Sequence, residues 1–484
     1  MGRDGHVTAA RTRFSQLART HLRIATWISL LRRPLYTSSL YLTATSLVNA
    51  GSGFVFWVAA ARLFKPEDVG LGAALISAAG FLLWISSLGL EAAIIKYLPQ
   101  TSSDSSALVN SYLTVASLAG GVAAVACLAT VPLWSPPLAF IRHSPLSVLV
   151  FLGVVVAGAN CVLVDYTFVV LRRSKLTFAR TLTQALLKLL LLIALATVLG
   201  KALGIFMAWG IATAISLILA LWLFLPQALP GYRPRLIVGR HISGAMARFS
   251  ITNYLCSGLF NTTMSLIPVI VVNVLGARAN AYSYVGWGAS APLLAIPGAV
   301  AVSLFAEGSH RDESLASNVL RSVKVGSLLL LPAVVAMLVV GDKLLLIFGR
   351  DYSHATTSVL RVVATSAIPV AVNATYLGIA QVQHRLKPLV LVPAAIAVGT
   401  LVLSDALARP LGILGPAVAW LALQSAVALV VLPSILKMLR SYQDTTEPCM
   451  DAGVLDLTLR PAHEVRDACH TTTPRTPGVR RLER

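Results

Sequence analysis

The stretch "LSVLVFLGVVVAGANCVLVDYTFVVLRRSKLTFARTLTQALLKLLLLIALATV" (146–198) holds two long apolar runs parted by the basic cluster Arg172, Arg173 and Lys175. Each run reaches the roughly 20 residues a helix needs to cross a hydrocarbon core of about 30 Å. Together they read as a transmembrane hairpin. The same pattern extends along the chain: 484 residues, 56% of them hydrophobic and only 12% charged, with a mean hydropathy of +0.78. A soluble domain of this size cannot cover itself with so little polar surface. The fold class is therefore an all-α integral membrane protein.

Apolar run length predicts twelve spans, at 40–62, 69–90, 108–131, 146–171, 177–198, 203–225, 250–274, 280–305, 323–340, 357–382, 388–408 and 411–436. An even count puts both termini on one side. Lys and Arg concentrate in the tails and the even-numbered turns. The opposite loops hold only Lys65, Arg142, Lys201, Arg278, Lys343, Arg350 and Arg409. The positive-inside rule then makes both termini cytoplasmic in an inner membrane.

The two halves are related. A shift of 212 residues lays Asn49 on Asn261, and one of 210 lays Tyr166 on Tyr376 and Lys175 on Arg385; "LGI" occurs at both 203–205 and 411–413. Odd and even spans keep their sense, so the repeat is parallel about an axis along the membrane normal. The expected organisation is a basic arm (1–39), a six-helix bundle (40–225), a basic linker (226–248), a second bundle (249–436) and a disordered tail (437–484). No proline falls inside a span of the first half, whereas the second carries Pro268, Pro292, Pro297, Pro332, Pro369, Pro393 and Pro416; kinks are expected there.

The formal charge of +20 lies in loops and tails, where it orients spans; nucleic acid is not an expected partner. The arm lacks the apolar core of a cleavable signal; it reads equally as an interfacial helix on anionic lipid or as a topology signal. Five cysteines show no metal-ligand spacing and read as small apolar thiols. Walker, HExxH, nucleophile-elbow and dinucleotide motifs are all missing. No enzyme activity and no cofactor are expected, and a transporter is the default.

Ionisable groups inside spans point to function, because each costs roughly 2.5–3.5 kcal/mol at the bilayer centre on insertion scales. Asp165 in span four and Lys188 in span five are the strongest. A lysine stem can bridge the hairpin, making either a polar cavity wall or a structural ion pair, with Arg172 in support at the edge. Thr375 occupies the duplicated position of Asp165, so the fold itself does not demand a carboxylate. Glu91, Lys96, Arg248 and Glu307 ring the inner mouth, as an entrance for an anion or as snorkelling anchors. Arg62 sits at the outer end of span one. Asn49, Asn253 and Asn261 can bond sugar hydroxyls or join helices.

The segment "ARLFKPEDVGLGAALISAAGFLLWISSLGLEAAIIKYLP" (61–99) resembles the first hairpin of Wzx-type polysaccharide, or O-antigen, flippases of the multidrug/oligosaccharidyl-lipid/polysaccharide exporter superfamily. "NYL" (253–255), "VLGARANAYSYVGW" (274–287) and "SLFAEGSH" (303–310) repeat the likeness in the second half, as do Asp165, Phe168, Arg172 and Lys188 in the middle. The resemblance covers 40–436. It implies two duplicated six-helix bundles in a V that alternates access, with spans one, two, seven and eight around the cavity. The implied substrate is a polyprenyl-phosphate- or pyrophosphate-linked oligosaccharide, with a polymerase or glycosyltransferases as neighbours. For a diphosphate, 100 mV negative inside favours export by ~4.6 kcal/mol. An ion-coupled multidrug exporter of the same superfamily is the alternative, though spans one and seven lack the carboxylate those exporters tend to carry. A membrane scaffold for glycosyltransferases is a third.

Overall fold

In the computed structural model the described residues are 34–101, 105–199, 201–237, 244–308, 315–383 and 385–455, with side chains left aside at 34–36, 244–257, 260, 306–308, 386 and 441–455. Residues 1–33 of the basic arm lie outside them, as does 456–484; the arm's last residues, expected to precede the first span at 40, already belong to the first helix, which starts at Pro34.

Among the described residues twelve long helices follow one another: α1 Pro34–Leu63, α2 Pro66–Ser87, α3 Ser105–Trp134, α4 Pro145–Val170, α5 Ser174–Val198, α6 Ala202–Leu219, α7 Gly244–Leu275, α8 Ala277–Gly308, α9 Leu315–Leu345, α10 Arg350–Val382, α11 Leu386–Leu411 and α12 Gly415–Leu455. Their lengths follow from the solvent: α4, with 26 residues, spans about 39 Å at 1.5 Å per residue. Only a helix satisfies its own backbone in hydrocarbon. The turns carry the stop signals. Leu88 and Gly89 are consecutive left-handed residues that break α2 from the short helix Leu90–Tyr97. A π-helical stretch at Ala220–Phe224 ends α6 just before Pro226, whose missing N–H interrupts the ladder.

The duplication is visible in the packing. In the first half α1 packs on α5, α2 and α3 on α4, and α4 and α5 on α6. In the second, α7 packs on α11, α8 and α9 on α10, and α10 and α11 on α12. Even the tight basic turn recurs: Arg173 N donates to Phe168 O at 2.8 Å and Arg385 N to Ala380 O at 2.9 Å, the long-range closure of a Schellman-type helix end.

The bundles meet chiefly through α2, which packs along α7 and α8. Approach is closest at Gly70, where a Cβ would lie 1.7 Å from the carbonyl oxygen of Ala277. Asn280 Nδ2 donates to Gly70 O at 2.7 Å in the same seam. Ser135 Oγ donates to Asn273 Oδ1 at 2.7 Å, and Asn273 Nδ2 to Trp134 O at 2.8 Å. These ties lie at the end away from the basic turns, and there the halves are latched.

Three expectations need correction. Pro132 lies inside α3, so the first half is not free of helical proline; α3 runs three residues past the apolar stretch that ended at 131. Pro416 occupies the first turn of α12, where no N–H is needed, and is no kink. And α12 continues to Leu455 instead of ending near 436, because extending a formed helix adds a hydrogen bond per residue without a new nucleus.

Candidate functional site

A cavity lies between the bundles about midway along the helices, in two lobes of about 320 and 380 Å³. Helix α1 contributes Asn49, Gly53 and Trp57, α8 contributes Tyr284, Trp287, Gly288 and Ala291, and α7 contributes Met264 and Pro268. Trp57, Tyr284, Gly288, Ala291 and Ala295 line both lobes. Small residues on facing helices leave the space, since Gly288 and Gly53 have nothing within 4 Å of where a Cβ would sit. Aromatic rings wall it. The Trp57 and Tyr284 centroids are 4.6 Å apart, and Phe54 meets Phe348 edge-on at 5.3 Å. The indole N–H of Trp287, whose ring lines the second lobe, is buried and has no partner among the described residues. The lining described here contains no ionisable carboxylate or amine. Such a wall suits a neutral, hydroxyl-rich face that stacks on rings.

Asp165 and Lys188 do not pair. Asp165 is held by Arg180, with Nε donating to Oδ1 at 2.7 Å and Nη2 to Oδ2 at 2.5 Å. The guanidinium also donates from Nη1 to Gln184 Oε1 at 2.9 Å and to Ser216 Oγ at 3.3 Å. Gln184 Nε2 continues to Thr213 Oγ1 at 2.8 Å. The result is a closed polar layer joining α4, α5 and α6 inside the first bundle, away from the inter-bundle cavity; Arg180 is 6% exposed. Arg180 was missed in the sequence. The signal was its depth: Asp165 stands five residues before Val170 and Arg180 six after Ser174, so the tight turn sets them level. Lys188 is buried on α5 at 7% exposure, with no hydrogen bond or ion pair among the described residues. Arg172 is exposed in the turn with φ 56° and takes no part in the layer.

The remaining candidates scatter. Arg62 donates to Ile347 O and Leu346 O, both at 2.9 Å, tying α1 to the carbonyl end of α9; its role there is a cationic cap. Glu91 accepts from Ser87 Oγ at 3.5 Å while its Oε2 is buried without a partner; burial pushes its carboxyl above the ordinary range. Lys96 lies 5.3 Å from the Tyr97 ring centroid. Asn49 reaches the cavity, whereas Asn261 is exposed on α7 and does not line it. Arg248 and Asn253 on α7 and Glu307 on α8 have side chains outside those described. Among the described residues no three His, Cys, Asp or Glu side chains gather to hold a metal.

Among the described residues, two sets of six long helices with matching packing enclose this cavity, an all-helical multi-pass architecture. The chain is similar to "Lipid II flippase MurJ, inward closed conformation" (TM-score 0.62, 10% identity, 89% of this chain and 95% of that one). It is similar to an inward-facing multidrug resistance MATE family transporter of the MOP superfamily (0.58, 14%, 84% and 99%). A MOP superfamily transporter from Pyrococcus furiosus also matches (0.56, 13%, 86% and 98%). At these identities the likeness is one of fold. Among curated proteins there is no match. The chain belongs to the family described as "Polysaccharide biosynthesis protein", which matches residues 35–307.

Proposed function

We propose that this protein is a flippase that moves a polyprenyl-phosphate- or pyrophosphate-linked oligosaccharide from the inner to the outer leaflet of the cytoplasmic membrane. On this reading it serves cell-surface polysaccharide assembly such as O-antigen of lipopolysaccharide, and both termini are cytoplasmic. The observation that carries the reading is the uncharged, aromatic cavity at the midplane between duplicated halves, in a chain of a polysaccharide biosynthesis family. Sites at the repeat interface near the midplane are the common transporter solution. Trp57, Tyr284 and Trp287 offer ring faces to sugar rings, and Asn49 offers an amide. The lipid tail stays in the bilayer while the halves part. Opening outward requires the ties of Asn273, Asn280 and Arg62 to break. The chain does no covalent chemistry; the potential supplies the drive for an anionic headgroup. A polymerase or glycosyltransferases would act on what it delivers.

The test is the leaflet location of labelled lipid-linked oligosaccharide after depletion of this protein, read by protection from a glycosidase added outside. The reading predicts accumulation of protected material. Normal accessibility, in a strain without a second flippase, overturns it and brings ion-coupled export forward.

A further inference from the structure

The second bundle holds a cleft of about 240 Å³ between α8, α9, α10 and α12. Its walls are almost wholly apolar, with Val300, Leu330 and Leu436 among them. It opens sideways toward lipid: Val323 is 40% exposed and Ile368 43%. One helix, α8, separates it from the inter-bundle cavity, because Ala295 lines the one and Ile296 the other.

The duplicated plan does not require this hollow. In the first bundle the counterpart helices α3, α4 and α6 are packed solid around Tyr112, Phe168 and Leu225, all buried. The chain leaving α6 then folds back as a strap. Tyr232 Oη donates to Asn110 Oδ1 at 2.8 Å, Asn110 Nδ2 to Arg233 O at 2.9 Å, and Ile237 N to Thr114 Oγ1 at 3.2 Å. In the second bundle α12 runs straight on to Leu455. No described segment turns back over the cleft.

A void this close to lipid is filled by hydrocarbon, which restores dispersion contacts that its walls would otherwise lack. What distinguishes this cleft from any crevice is the charge at its rim. Lys324 stands between Val323 and Gly326 of its wall, and Arg440 follows Leu439. Arg321 and Lys437 lie one turn or less away, and all four are exposed. Neither Lys324 nor Arg440 has an ion-pair partner among the described residues. No acidic residue occurs on α9 between Leu315 and Gly341, or on α12 between Gly415 and Gln443; Asp444, one turn beyond Arg440, and Glu307 on α8 have side chains outside those described. Basic pockets between helices at the positively charged face take anionic lipid headgroups.

We propose that this cleft binds an anionic phospholipid of the bilayer, with one acyl chain between α9 and α12 and its phosphate against Lys324 and Arg440. The site is separate from the transport cavity and stands whether or not the proposed substrate is right.

The test is native mass spectrometry of the full-length protein, purified in detergent, with phosphatidylglycerol or phosphatidylcholine of identical chains added. Phosphatidylglycerol is expected to be retained about tenfold more tightly, from two cationic contacts at partial exposure. Lys324→Gln with Arg440→Gln should bring it down to the phosphatidylcholine level. Ser327→Phe, which fills the cleft, should abolish retention of both; an unchanged lipid-free melting temperature certifies that this variant is folded, and Val323→Trp replaces it otherwise. Equal retention of the two lipids overturns the proposal. So does retention that survives the filled cleft, or displacement of phosphatidylglycerol by equimolar polyprenyl phosphate, which would make the cleft a substrate-tail site.

Discussion

The two bundles share a chain path and differ in what they bury. At the depth of the basic turn the first encloses a charged layer, Asp165 and Arg180 with Gln184, Thr213 and Ser216. At the duplicated depth the second has Thr375, whose hydroxyl only returns to Ala371 O of its own helix at 2.8 Å, beside an open apolar cleft. The second bundle's main polar bridge lies elsewhere: Asn373 Nδ2 donates to Gln424 Oε1 at 2.7 Å and ties α10 to α12. One bundle is closed by an ion pair and a strap; the other has no described ion pair of its own inside, carries prolines within its helices at 268, 292, 297, 332, 369, 393 and 410, and is hollow. The lesson is that the six-helix plan needs neither the charges nor the hollow. Each is an addition with its own cost.

The strongest way to break this comparison is at Arg180. Arg180→Leu leaves a carboxylate unpaired in the membrane and should destabilise by about 3–5 kcal/mol, whereas the double variant with Asp165→Leu should recover most of the loss. Thr375→Val at the duplicated depth should change stability by less than about 1 kcal/mol. Unfolding of the purified protein in mixed micelles measures all three. Next comes the seam between the halves. Gly70→Val drives a side chain into the Ala277 carbonyl and should cost about 1–3 kcal/mol.

Gly288 is the matched contrast, since nothing lies within 4 Å of its missing Cβ and it lines both lobes of the cavity. Gly288→Val should leave melting nearly unchanged and lower transport severalfold. Trp287→Phe keeps an aromatic face on the cavity but reduces its area, so a smaller loss of transport is expected. The smallest effect belongs to Glu91, whose buried carboxyl titrates above its ordinary range. Burial disfavours the charged form, so its contribution to stability is full below the unfolded pKa and is lost as pH rises through the folded one. As pH rises above the ordinary carboxylate range, melting should fall more steeply for wild type than for Glu91→Gln.

Most of the fold was legible in the sequence, because apolar run length and the placement of Lys and Arg are set by the bilayer and survive without any tertiary information. The duplication was legible in part, from Asn49 and Asn261 or Lys175 and Arg385, and the packing repeats it. The site was much less so. Asp165 announced itself by its cost, but Lys188 looked like its partner only because it sits deepest in span five. The true partner, Arg180, required counting outward from both sides of the turn. Trp57, Tyr284 and Trp287 carry no mark in a sequence full of apolar residues; which face of α1 and α8 looks inward depends on how α2 wedges between α7 and α8. Arg62 read as a possible substrate contact and is a cap on α9, because the end of α9 is brought to α1 only by the association of the halves.

The central claim is that the halves move about the aromatic cavity to carry a glycan headgroup across. Ser135→Cys with Asn273→Cys, placed where the two side chains now touch at 2.7 Å in a background cleared of other cysteines, tests it most directly. Oxidation should pin the latched end shut and leave labelled lipid-linked oligosaccharide protected from external glycosidase, and reduction should restore its accessibility. Glycan that reaches the outer leaflet equally well with the cross-link formed would contradict the account.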